Sequence, residues 1–343
     1  MLTTPRVTVT IPTYNRCRYL GEALDSVIAQ TYQDFQIYIT DNGSTDDTQH
    51  IVRNYAGRDA RISYHRFPEN LGIARNWQQA LSGHRTEFVA MLNDDDLWLP
   101  EHLEYGIAVM EATPESALYF CLTESFGASE GQLFVHESFR GCTKRMVVDT
   151  HANFLPVMRG IPGLPTAMIF RTSALEGLFF PDSPMLGAID WLVSAQAAMR
   201  GVMIYDPVVR AKYRLHASNI SACTCNGKQG GVMCRYVFRT LMEIAHQRGQ
   251  LDYNRLVSTV AEDWPVDEAS TMVVALAVYD APPLLRQAAF EVARRRSDLW
   301  TAPNASRHCH TAAAVGEWYL TLADAADRVV TGWWPPAAEK VKA

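Results

Sequence analysis

The sequence predicts a doubly wound α/β domain followed by a helical region, and two features of the apolar pattern carry that prediction. Over the first hundred residues, short strand-like runs alternate with helical patterns, which is typical of a mostly parallel sheet. Beyond residue 225, apolar residues recur at three- and four-residue spacing, which favours helices. We therefore expect a sheet domain over residues 1–225, with halves at about 1–115 and 116–225, and a helical extension over residues 226–343.

The first two predicted strands each run into a polar turn. Residues 7–11 alternate valine and isoleucine with threonine, and residues 35–39 form a second alternating run that ends at Asp41. A helix is expected after each strand. Ser44 or Thr45 is expected to cap the second of these helices, because short polar side chains accept hydrogen bonds from the first helical N–H groups.

The next elements continue the alternation of strands and helices. Residues 62–64 indicate a short strand, residues 72–81 a helix and residues 88–92 a buried strand. The later elements expected are strands at residues 117–122, 146–149 and 167–170, a helix that begins near residue 190, and helices at residues 232–247, 253–261, 269–278, 284–296 and 312–330.

Three consecutive aspartates follow the fourth predicted strand. Asp94, Asp95 and Asp96 lie in the stretch FVAMLNDDDLWLP, in which Pro100 suits the first turn of a helix. Adjacent carboxylates raise one another's pKa values unless a cation lies among them. A divalent cation such as Mg²⁺ or Mn²⁺ would satisfy them, since such ions prefer oxygen ligands. A solvated acidic turn or an acidic helix N-terminus is the alternative interpretation.

Charge and composition disfavour several classes of protein. A net charge of −6 and a pI near 5.9 disfavour nonspecific nucleic-acid binding, which depends on lysine and arginine. No apolar segment approaches the roughly 20 residues that span a bilayer. A strand-like pattern from Val7 leaves no room for a signal peptide, and seven scattered cysteines suit a reducing compartment. A cytoplasmic location is expected.

Polar residues follow three of the predicted strands. Thr13 and Tyr14 follow the first strand, Asp41 ends the second, and the aspartate run follows the fourth. Ligands of doubly wound sheets bind outside the carboxyl ends of the strands, where an acidic residue can accept hydrogen bonds from a base or a ribose. The chain lacks GxGxxG after the first strand and lacks GxxxxGK[ST], which disfavours a dinucleotide dehydrogenase and a P-loop enzyme.

Six segments, in this order, resemble the family-two glycosyltransferases, which are inverting enzymes with the GT-A fold. They are VTVTIPTYNR, TDNGSTDDT, NLGIARN, NDDDLWLP, AIDWLVSAQAAMRG and KYRLHASNIS. The resemblance covers about residues 5–222. It implies a GT-A type, mostly parallel sheet and the transfer of a sugar from a UDP-, dTDP- or GDP-linked donor to an acceptor nucleophile.

The resemblance also implies separate roles within the acidic run. Many family members have Asp-x-Asp followed by another Asp, which falls here on Asn93, Asp94 and Asp95. Asp95 is then the expected ligand of Mn²⁺ or Mg²⁺, and His216 is expected to complete the metal shell. Asn93 and Asp94 are expected donor contacts. Asp96 is expected either to hold a metal-ligating residue in place without contacting the metal, or to cap the next helix.

The fifth segment contains the implied catalytic base. In AIDWLVSAQAAMRG, Asp190 followed by Trp191 is expected to open a helix and to take a proton from the acceptor, a contribution of typically 10²–10⁴-fold in rate. A single in-line displacement with one base and no protein nucleophile would invert the anomeric centre. The resemblance, not the residue pattern, implies this stereochemistry.

Donor contacts are expected at the end of the first strand and on the third helix. Pro12, Thr13 and Tyr14 are expected to hold the nucleobase. Arg16 and Arg75 are expected to bind phosphates as bidentate donors, with a solvated surface charge as the alternative for each.

The acceptor cannot be read from the residues. It is expected to bind residues 116–225 and to be a saccharide, a cell-wall or lipid-linked intermediate, or a natural product. The helical extension is expected to cover the catalytic domain or to form a homodimer contact. A nucleotide-sugar-binding or regulatory protein without transfer is the alternative, motivated by Asn93. A nucleotidyltransferase is disfavoured, because no Gly-rich basic loop follows the first strand.

Overall fold

The chain divides into two compact units, Met1–Cys223 and Thr224–Ala343. The computed structural model describes residues 4–150, 154–158, 161–181, 188–217, 219, 228–263, 269 and 282–295. The first unit contains the sheet, and the described part of the second unit is helical.

Strands and helices alternate through the start of the first unit. Its described strands are β1 (Val7–Thr13), β2 (Phe35–Asp41), β3 (Ile62–Arg66), β4 (Phe88–Met91), β5 (Leu97–Trp98), β6 (Ser116–Gly127), β7 (Leu133–Phe134), β8 (Met146–Val148), β9 (Met168–Arg171) and β10 (Val202–Leu215). Its described α-helices are α1 (Cys17–Ile28), α2 (Thr48–Ala56), α3 (Ile73–Leu81), α4 (His102–Glu111) and α5 (Ile189–Ala198).

The strands form one sheet in the order β3-β2-β1-β4-β9-β6-β10-β5, with β7 added to β6 and β8 to β10. β1 pairs in parallel with β2 and β4, β2 pairs in parallel with β3, and β6 pairs in parallel with β10. β9 runs antiparallel between β4 and β6. The predicted α/β class with a mostly parallel sheet is confirmed.

The core follows from the apolar periodicity. All seven residues of β1 are buried, as expected for a central parallel strand with neighbours on both edges. Helix α1 buries Leu20, Ala23, Leu24 and Val27, which form one apolar stripe at helical spacing. β1 therefore lies inside the sheet, and its carboxyl end lies next to its parallel neighbours β2 and β4.

The region after the acidic run differs from the sequence prediction. Pro100 does not lie in the first turn of a helix, because β5 intervenes and α4 begins at His102. β5 pairs antiparallel with β10, the Leu99 N–H donates to the Arg210 carbonyl at 2.9 Å, and the Trp98 indole N–H donates to the Thr166 carbonyl at 2.6 Å. Pairing with a distant strand therefore prevails over the local preference for a helix.

The start of α2 also differs from the prediction. The N-cap residue is Asp47, not Ser44 or Thr45. The Ser44 hydroxyl instead accepts the Asn15 N–H at 2.9 Å, and the Asn15 side-chain oxygen accepts the Thr45 N–H at 2.8 Å. These side chains join two loops at the sheet edge and are not used as helix caps.

The described helices of the second unit are α6 (Lys228–Gln247), α7 (Tyr253–Asp263) and α8 (Pro283–Arg295), and α7 packs against α8. They match three of the predicted extension helices. The helix predicted at 269–278, apart from residue 269, and the helix predicted at 312–330 lie outside the described residues. Among the helices that are described, none has the length and apolar character to cross a membrane.

Gly201 lies in the turn between α5 and β10 and provides a test of the packing of this turn against the start of β6. A Cβ at this position would clash with the Glu115 carbonyl oxygen and lie 3.0 Å from the Ala117 Cβ. We expect Gly201→Ala to lower the free energy of unfolding by about 1–3 kcal/mol, since backbone atoms must move to relieve the clash. Urea denaturation followed by circular dichroism measures this loss.

Gly57→Ala is the matched control. Its added Cβ would meet nothing closer than 3.4 Å, and the Gly57 backbone is already right-handed helical. Its unfolding free energy is expected to stay within about 0.5 kcal/mol of the parent. Equal losses in the two variants would contradict this account of Gly201.

Candidate active site

The segments that follow four of the strands lie at the same edge of the sheet. β1, β2 and β4 run in one direction. Two successive antiparallel pairings, β4 with β9 and β9 with β6, restore this direction in β6 and in its parallel neighbour β10. The segments that follow β1, β2, β4 and β10 therefore meet, as the ligand-binding edge of such sheets requires.

The acidic run lies at this edge in a nearly buried position. Asp94 and Asp95 are each 8% exposed, and Asp96 is fully buried. Asp94 Oδ2 accepts the Tyr14 N–H at 3.3 Å. Burial, reinforced by the Asp95 charge, raises the pKa of Asp94 to about 7 and raises the pKa of Asp96 well above its usual value. Burial and repulsion between the carboxylates therefore both disfavour the ionised forms of Asp94 and Asp96.

Asp95 and His216 meet although 121 residues separate them. His216 Nε2 lies 3.0 Å from Asp95 Oδ2. The His216 ring stacks on Tyr19 with ring centroids 4.8 Å apart, and its backbone N–H donates to Asn219 Oδ1 at 2.6 Å. Asn219 Nδ2 in turn donates to the Arg214 carbonyl at 3.0 Å. The imidazole is thus held against Asp95 from two sides.

Arg214 ties the acidic run to the end of β10. Its backbone N–H donates to Asp96 Oδ1 at 2.8 Å, and its Nε donates to the Asp95 carbonyl at 2.8 Å. Its Nη2 donates to Glu22 of α1 at 2.8 Å, and its guanidinium lies 4.3 Å from the centroid of the Phe126 ring. This one side chain connects α1, the acidic run, β6 and β10.

Asp96 has an internal partner at each oxygen. Oδ1 accepts the Arg214 N–H, and Oδ2 accepts the Asn93 amide at 3.0 Å. Helix α4 has Glu101 as its N-cap residue, so the expectation that Asp96 caps this helix is wrong. The Asn93 amide, expected to contact the donor, is used here to hold Asp96.

Arg16 lies between two of the aspartates. Its Nε is 3.6 Å from Asp94 Oδ1 and 3.6 Å from Asp95 Oδ2. The expected phosphate ligand Arg16 is therefore part of the acidic site itself. Arg75 is exposed on α3, and its Nη1 donates to Gln78 at 3.0 Å.

Asp41 is buried at the end of β2. Oδ1 accepts the Ser44 N–H at 2.7 Å, Oδ2 accepts the Tyr64 hydroxyl, and the Arg66 Nε lies 3.6 Å from Oδ2. Burial and the Asp41 carboxylate raise the pKa of Tyr64, so this hydroxyl stays a donor. The parallel register places Asp41 directly beside Arg66. β3 therefore shields the Asp41 carboxylate from solvent.

Asn42 and Asn76 connect the neighbouring loops to the end of β1. The Asn42 side chain accepts the Leu71 N–H at 2.9 Å and donates to the Gly72 carbonyl at 3.1 Å. Asn76 Nδ2 donates to the Thr13 carbonyl at 3.3 Å. Its other atom, Oδ1, is buried without a hydrogen-bond partner in the described part of the chain, which is uncommon unless a ligand or water binds there.

The other expected base contacts lie at the end of β1. Pro12 and Thr13 are buried within the strand and pair with Thr40 and Asp41 of β2. Tyr14, the next residue, is 39% exposed. Of these three expected contacts, the structure presents the Tyr14 side chain to solvent at the sheet edge.

Asp190 lies in the first turn of α5, a helix that packs against α3 and β6. Its Oδ1 accepts the Trp191 N–H at 2.8 Å, and the Trp191 indole donates to the Val157 carbonyl at 2.8 Å. Burial raises the pKa of Asp190 to about 6. Within the described residues, no hydrogen bond joins Asp190 to the acidic run.

The sequence motifs do not predict several of these residues as part of the site. Arg214 and Asn219 lie in the segment KYRLHASNIS, so the motif was visible but their contacts were not. Tyr64 and Arg66 lie two residues apart in β3, on the same face of the strand, and only the register with β2 brings them to Asp41.

The described residues contain no group of three or more His, Cys, Asp or Glu side chains that could hold a metal ion. Asp95 and His216 supply one oxygen and one nitrogen ligand. A metal ion bound by this pair would therefore need further ligands from a substrate, as is usual for Mg²⁺ at phosphate sites.

Comparison with known proteins relates the first unit to one enzyme family. A family model described as Glycosyl transferase family 2 matches residues 8–176. An uncharacterized glycosyltransferase of Rickettsia typhi is 33% identical over 224 residues, which make up 65% of this chain and 68% of the relative. Glycosyltransferase GlyA of Streptococcus pneumoniae serotype 4 is 32% identical over 140 residues, which make up 40% of this chain and 19% of GlyA.

Solved structures share the fold at low sequence identity. S. aureus TarS 1-349 in complex with UDP-GlcNAc aligns with a TM-score of 0.58 and 17% identity, covering 94% of this chain and 92% of that chain. The same protein in complex with UDP aligns with a TM-score of 0.57 and 17% identity, covering 98% and 94%. At this identity the alignment establishes a common GT-A type fold.

Arg214 provides a test of how the site is held together. Arg214→Gln removes the donors to the Asp95 carbonyl and to Glu22, and we expect the free energy of unfolding to fall by about 2–3 kcal/mol. Arg58→Gln, at an exposed position after α2, is the control and should change it by less than about 0.5 kcal/mol. Urea denaturation of both variants measures the difference, and an unchanged Arg214→Gln protein would refute this role.

Proposed function

The chain belongs to glycosyl transferase family 2, and from that premise we propose that it transfers a sugar from a nucleotide-diphosphate sugar to an acceptor nucleophile with inversion at the anomeric carbon. The contact between Asp95 and His216 carries the proposal. In this contact Asp95 Oδ2 and His216 Nε2 lie 3.0 Å apart at the carboxyl ends of the strands, and the Tyr14 N–H donates to the neighbouring Asp94.

The proposed donor is a UDP-, dTDP- or GDP-linked sugar. S. aureus TarS, which has the same fold, has been crystallised with UDP and with UDP-GlcNAc, and this supports a nucleotide-diphosphate sugar as donor. In our proposal Pro12, Thr13 and Tyr14 hold the base. Asp41 contributes a base or ribose contact, which needs a shift of the side chains that shield it.

The residues of the acidic run fit a divalent cation. Asp95 and His216 offer the oxygen and nitrogen ligands that Mn²⁺ accepts. Burial, together with the Asp95 charge, raises the pKa values of Asp94 and Asp96. We propose that Asp95 and His216 hold Mn²⁺ or Mg²⁺ together with the donor diphosphate. Such an ion supplies Lewis-acid stabilisation of the departing diphosphate, worth several kcal/mol.

The remaining steps are assigned to side chains. Arg16 and Arg75 are proposed to bind phosphate oxygens, whereas Asn93 and Asp94 position the donor. Asp190 is proposed to accept the acceptor's proton as its nucleophile attacks the face of the sugar opposite the diphosphate. The raised pKa of Asp190 suits this role, since a base whose conjugate acid has a pKa near the working pH transfers protons most effectively.

The acceptor is proposed to bind the half of the unit that follows residue 115, where α5 carries Asp190. Its class stays as broad as the sequence predicts: a saccharide, a cell-wall or lipid-linked intermediate, or a natural product. A cytoplasmic location and a homodimer through the C-terminal helices are likewise proposals, based on the scattered cysteines and on the amphipathic pattern of those helices.

Replacement of Asp95 tests the metal and donor site. We expect wild-type protein with Mn²⁺ to bind at least one of UDP, dTDP and GDP in isothermal titration calorimetry and to hydrolyse the matching nucleotide sugar slowly. Asp95→Ala should abolish the metal-dependent part of this binding, because the carboxylate that would hold the ion for the diphosphate is lost.

Asp34→Ala is the matched control, since Asp34 is an exposed carboxylate away from the sheet edge and its loss changes the net charge equally. It should bind like wild type. Undiminished binding by Asp95→Ala would place the metal elsewhere. Nucleotide-sugar binding without hydrolysis or transfer under any condition would favour a binding or regulatory protein.

The pH dependence of donor hydrolysis tests Asp190. A base must be deprotonated to act, so kcat/KM is expected to fall about tenfold per pH unit below the Asp190 pKa of about 6. Asp190→Asn should lose roughly 10²–10⁴-fold in rate and lose this pH dependence. Rates measured with water as acceptor from pH 4.5 to 8 provide the comparison.

Stability separates a base from a purely structural residue at this position. Because folding raises the Asp190 pKa, its ionised form opposes folding above pH 6, and the folded state gains relative stability as pH falls through the shifted pKa. Asp190→Asn should therefore be at least as stable as wild type at pH 7.5. Full activity of Asp190→Asn would remove Asp190 as the base while leaving the transferase proposal intact.

A further inference from the structure

We propose that Arg16 couples metal binding to donor binding: its guanidinium holds the acidic run until the diphosphate arrives and then changes partner to the phosphates. The inference deepens the proposed function and rests on it, because it assumes a metal at Asp95 and His216. The inference concerns how strongly and in which order the metal and the nucleotide bind, and not which metal or nucleotide they are.

The same oxygen atom of Asp95 faces both Arg16 and His216. Oδ2 lies 3.0 Å from His216 Nε2 and 3.6 Å from Arg16 Nε, and the same Nε lies 3.6 Å from Asp94 Oδ1. Arg16 is 18% exposed in its side chain, and the two carboxylates are 11% and 10% exposed. A divalent cation bound by this oxygen would lie beside the positively charged guanidinium, and water would screen the repulsion between them poorly.

The backbone around Arg16 is fixed. Asn15 adopts a left-handed conformation with φ of 52°, and its N–H and side-chain oxygen bond to the loop that precedes α2. The Arg16 N–H donates to Thr48 Oγ1 at 3.2 Å, and the Cys17 N–H donates to Asp46 Oδ2 at 3.0 Å. Any change of partner must therefore come from the long Arg16 side chain, since the loop is held at each residue.

Charge explains why the partner would change. Arg16 offsets two of the three buried carboxylates, whereas the Arg214 guanidinium bonds to Glu22 and the Asp95 carbonyl. A divalent ion arriving alone meets the Arg16 charge and must compete with it for Asp95. A diphosphate that arrives with the ion supplies a new anionic partner for the guanidinium, which binds phosphates in bidentate fashion.

A linkage follows from this exchange. If Arg16 weakens metal binding in the absence of nucleotide and strengthens nucleotide binding in the presence of metal, each ligand must increase the affinity for the other by the same factor. Arg16 would then make the metal site dependent on the donor. Loss of the Arg16 guanidinium should therefore reduce both the effect of nucleotide on metal affinity and the effect of metal on nucleotide affinity.

The test is a binding cycle with Mn²⁺ and UDP, or GDP if wild-type protein binds GDP instead, measured by isothermal titration calorimetry without any acceptor. We expect Arg16→Gln to bind Mn²⁺ alone roughly tenfold more tightly than wild type, because a nearby positive charge is gone. With saturating Mn²⁺ it should bind the nucleotide roughly tenfold more weakly, because a phosphate ligand is gone. The coupling factor should therefore fall roughly tenfold.

Two variants control for charge and for folding. Arg18→Gln removes the same charge from an exposed position two residues away. It should leave unchanged the affinities for Mn²⁺ and for the nucleotide, each measured with and without the other ligand. Arg16→Lys retains the charge and should bind Mn²⁺ alone within about twofold of wild type. Circular dichroism checks the fold of each variant, and Arg16→Met takes the place of Arg16→Gln if that variant does not fold.

The results separate this inference from the proposed function. If Arg16→Gln binds Mn²⁺ alone no more tightly than wild type, Arg16 is a phosphate ligand or a structural residue and the coupling role is refuted. If wild-type protein binds neither Mn²⁺ nor any of the nucleotides, the proposed function fails and the inference fails with it. Opposite changes in the two affinities, absent from Arg18→Gln, support the inference.

Discussion

Burial of three adjacent carboxylates is the constraint around which the rest of this site is arranged. Carboxylates removed from water must be paired, hydrogen-bonded or protonated. Asp94, Asp95 and Asp96 receive their partners from three separate parts of the chain: the loop after β1, the strand end at β4 and the end of β10. The hydrogen bonds to these carboxylates thus connect the segments that follow β1, β4 and β10 at the edge of the sheet.

The three carboxylates have different surroundings and therefore different proposed tasks. Asp96 is fully buried and bonded at both oxygens, which suits a structural role. Asp95 faces His216 and Arg16, so one of its oxygens lies close to both an imidazole and a guanidinium group. Asp94 faces Tyr14 at the open side. A run of identical residues acquires distinct chemistry because each side chain points toward a different element.

The local pattern predicted much of the fold because strands and helices leave different apolar periodicities. It failed where a distant partner decides the outcome. Leu97 and Trp98 form a strand only because β10 is available to pair with them, and Ser44 serves Asn15 instead of a helix end. Motifs likewise predicted that Asp95 and His216 belong to one metal site, and this stays a prediction. They did not give the contacts of Arg214 and Asn219, whose partners lie far along the chain or across a turn.

The sequence by itself determined the α/β class, the alternation of the first four strands with helices, the family resemblance and the residue types available for donor, metal and base. The tertiary structure decided which of those residues meet. It brought His216 to Asp95 and placed Arg16 between Asp94 and Asp95. Asp41 is buried in contact with Tyr64 and Arg66, and Arg75 is exposed on α3. The reason is physical: periodicity is local, whereas strand register, burial and charge pairing depend on segments that approach one another only in the folded chain.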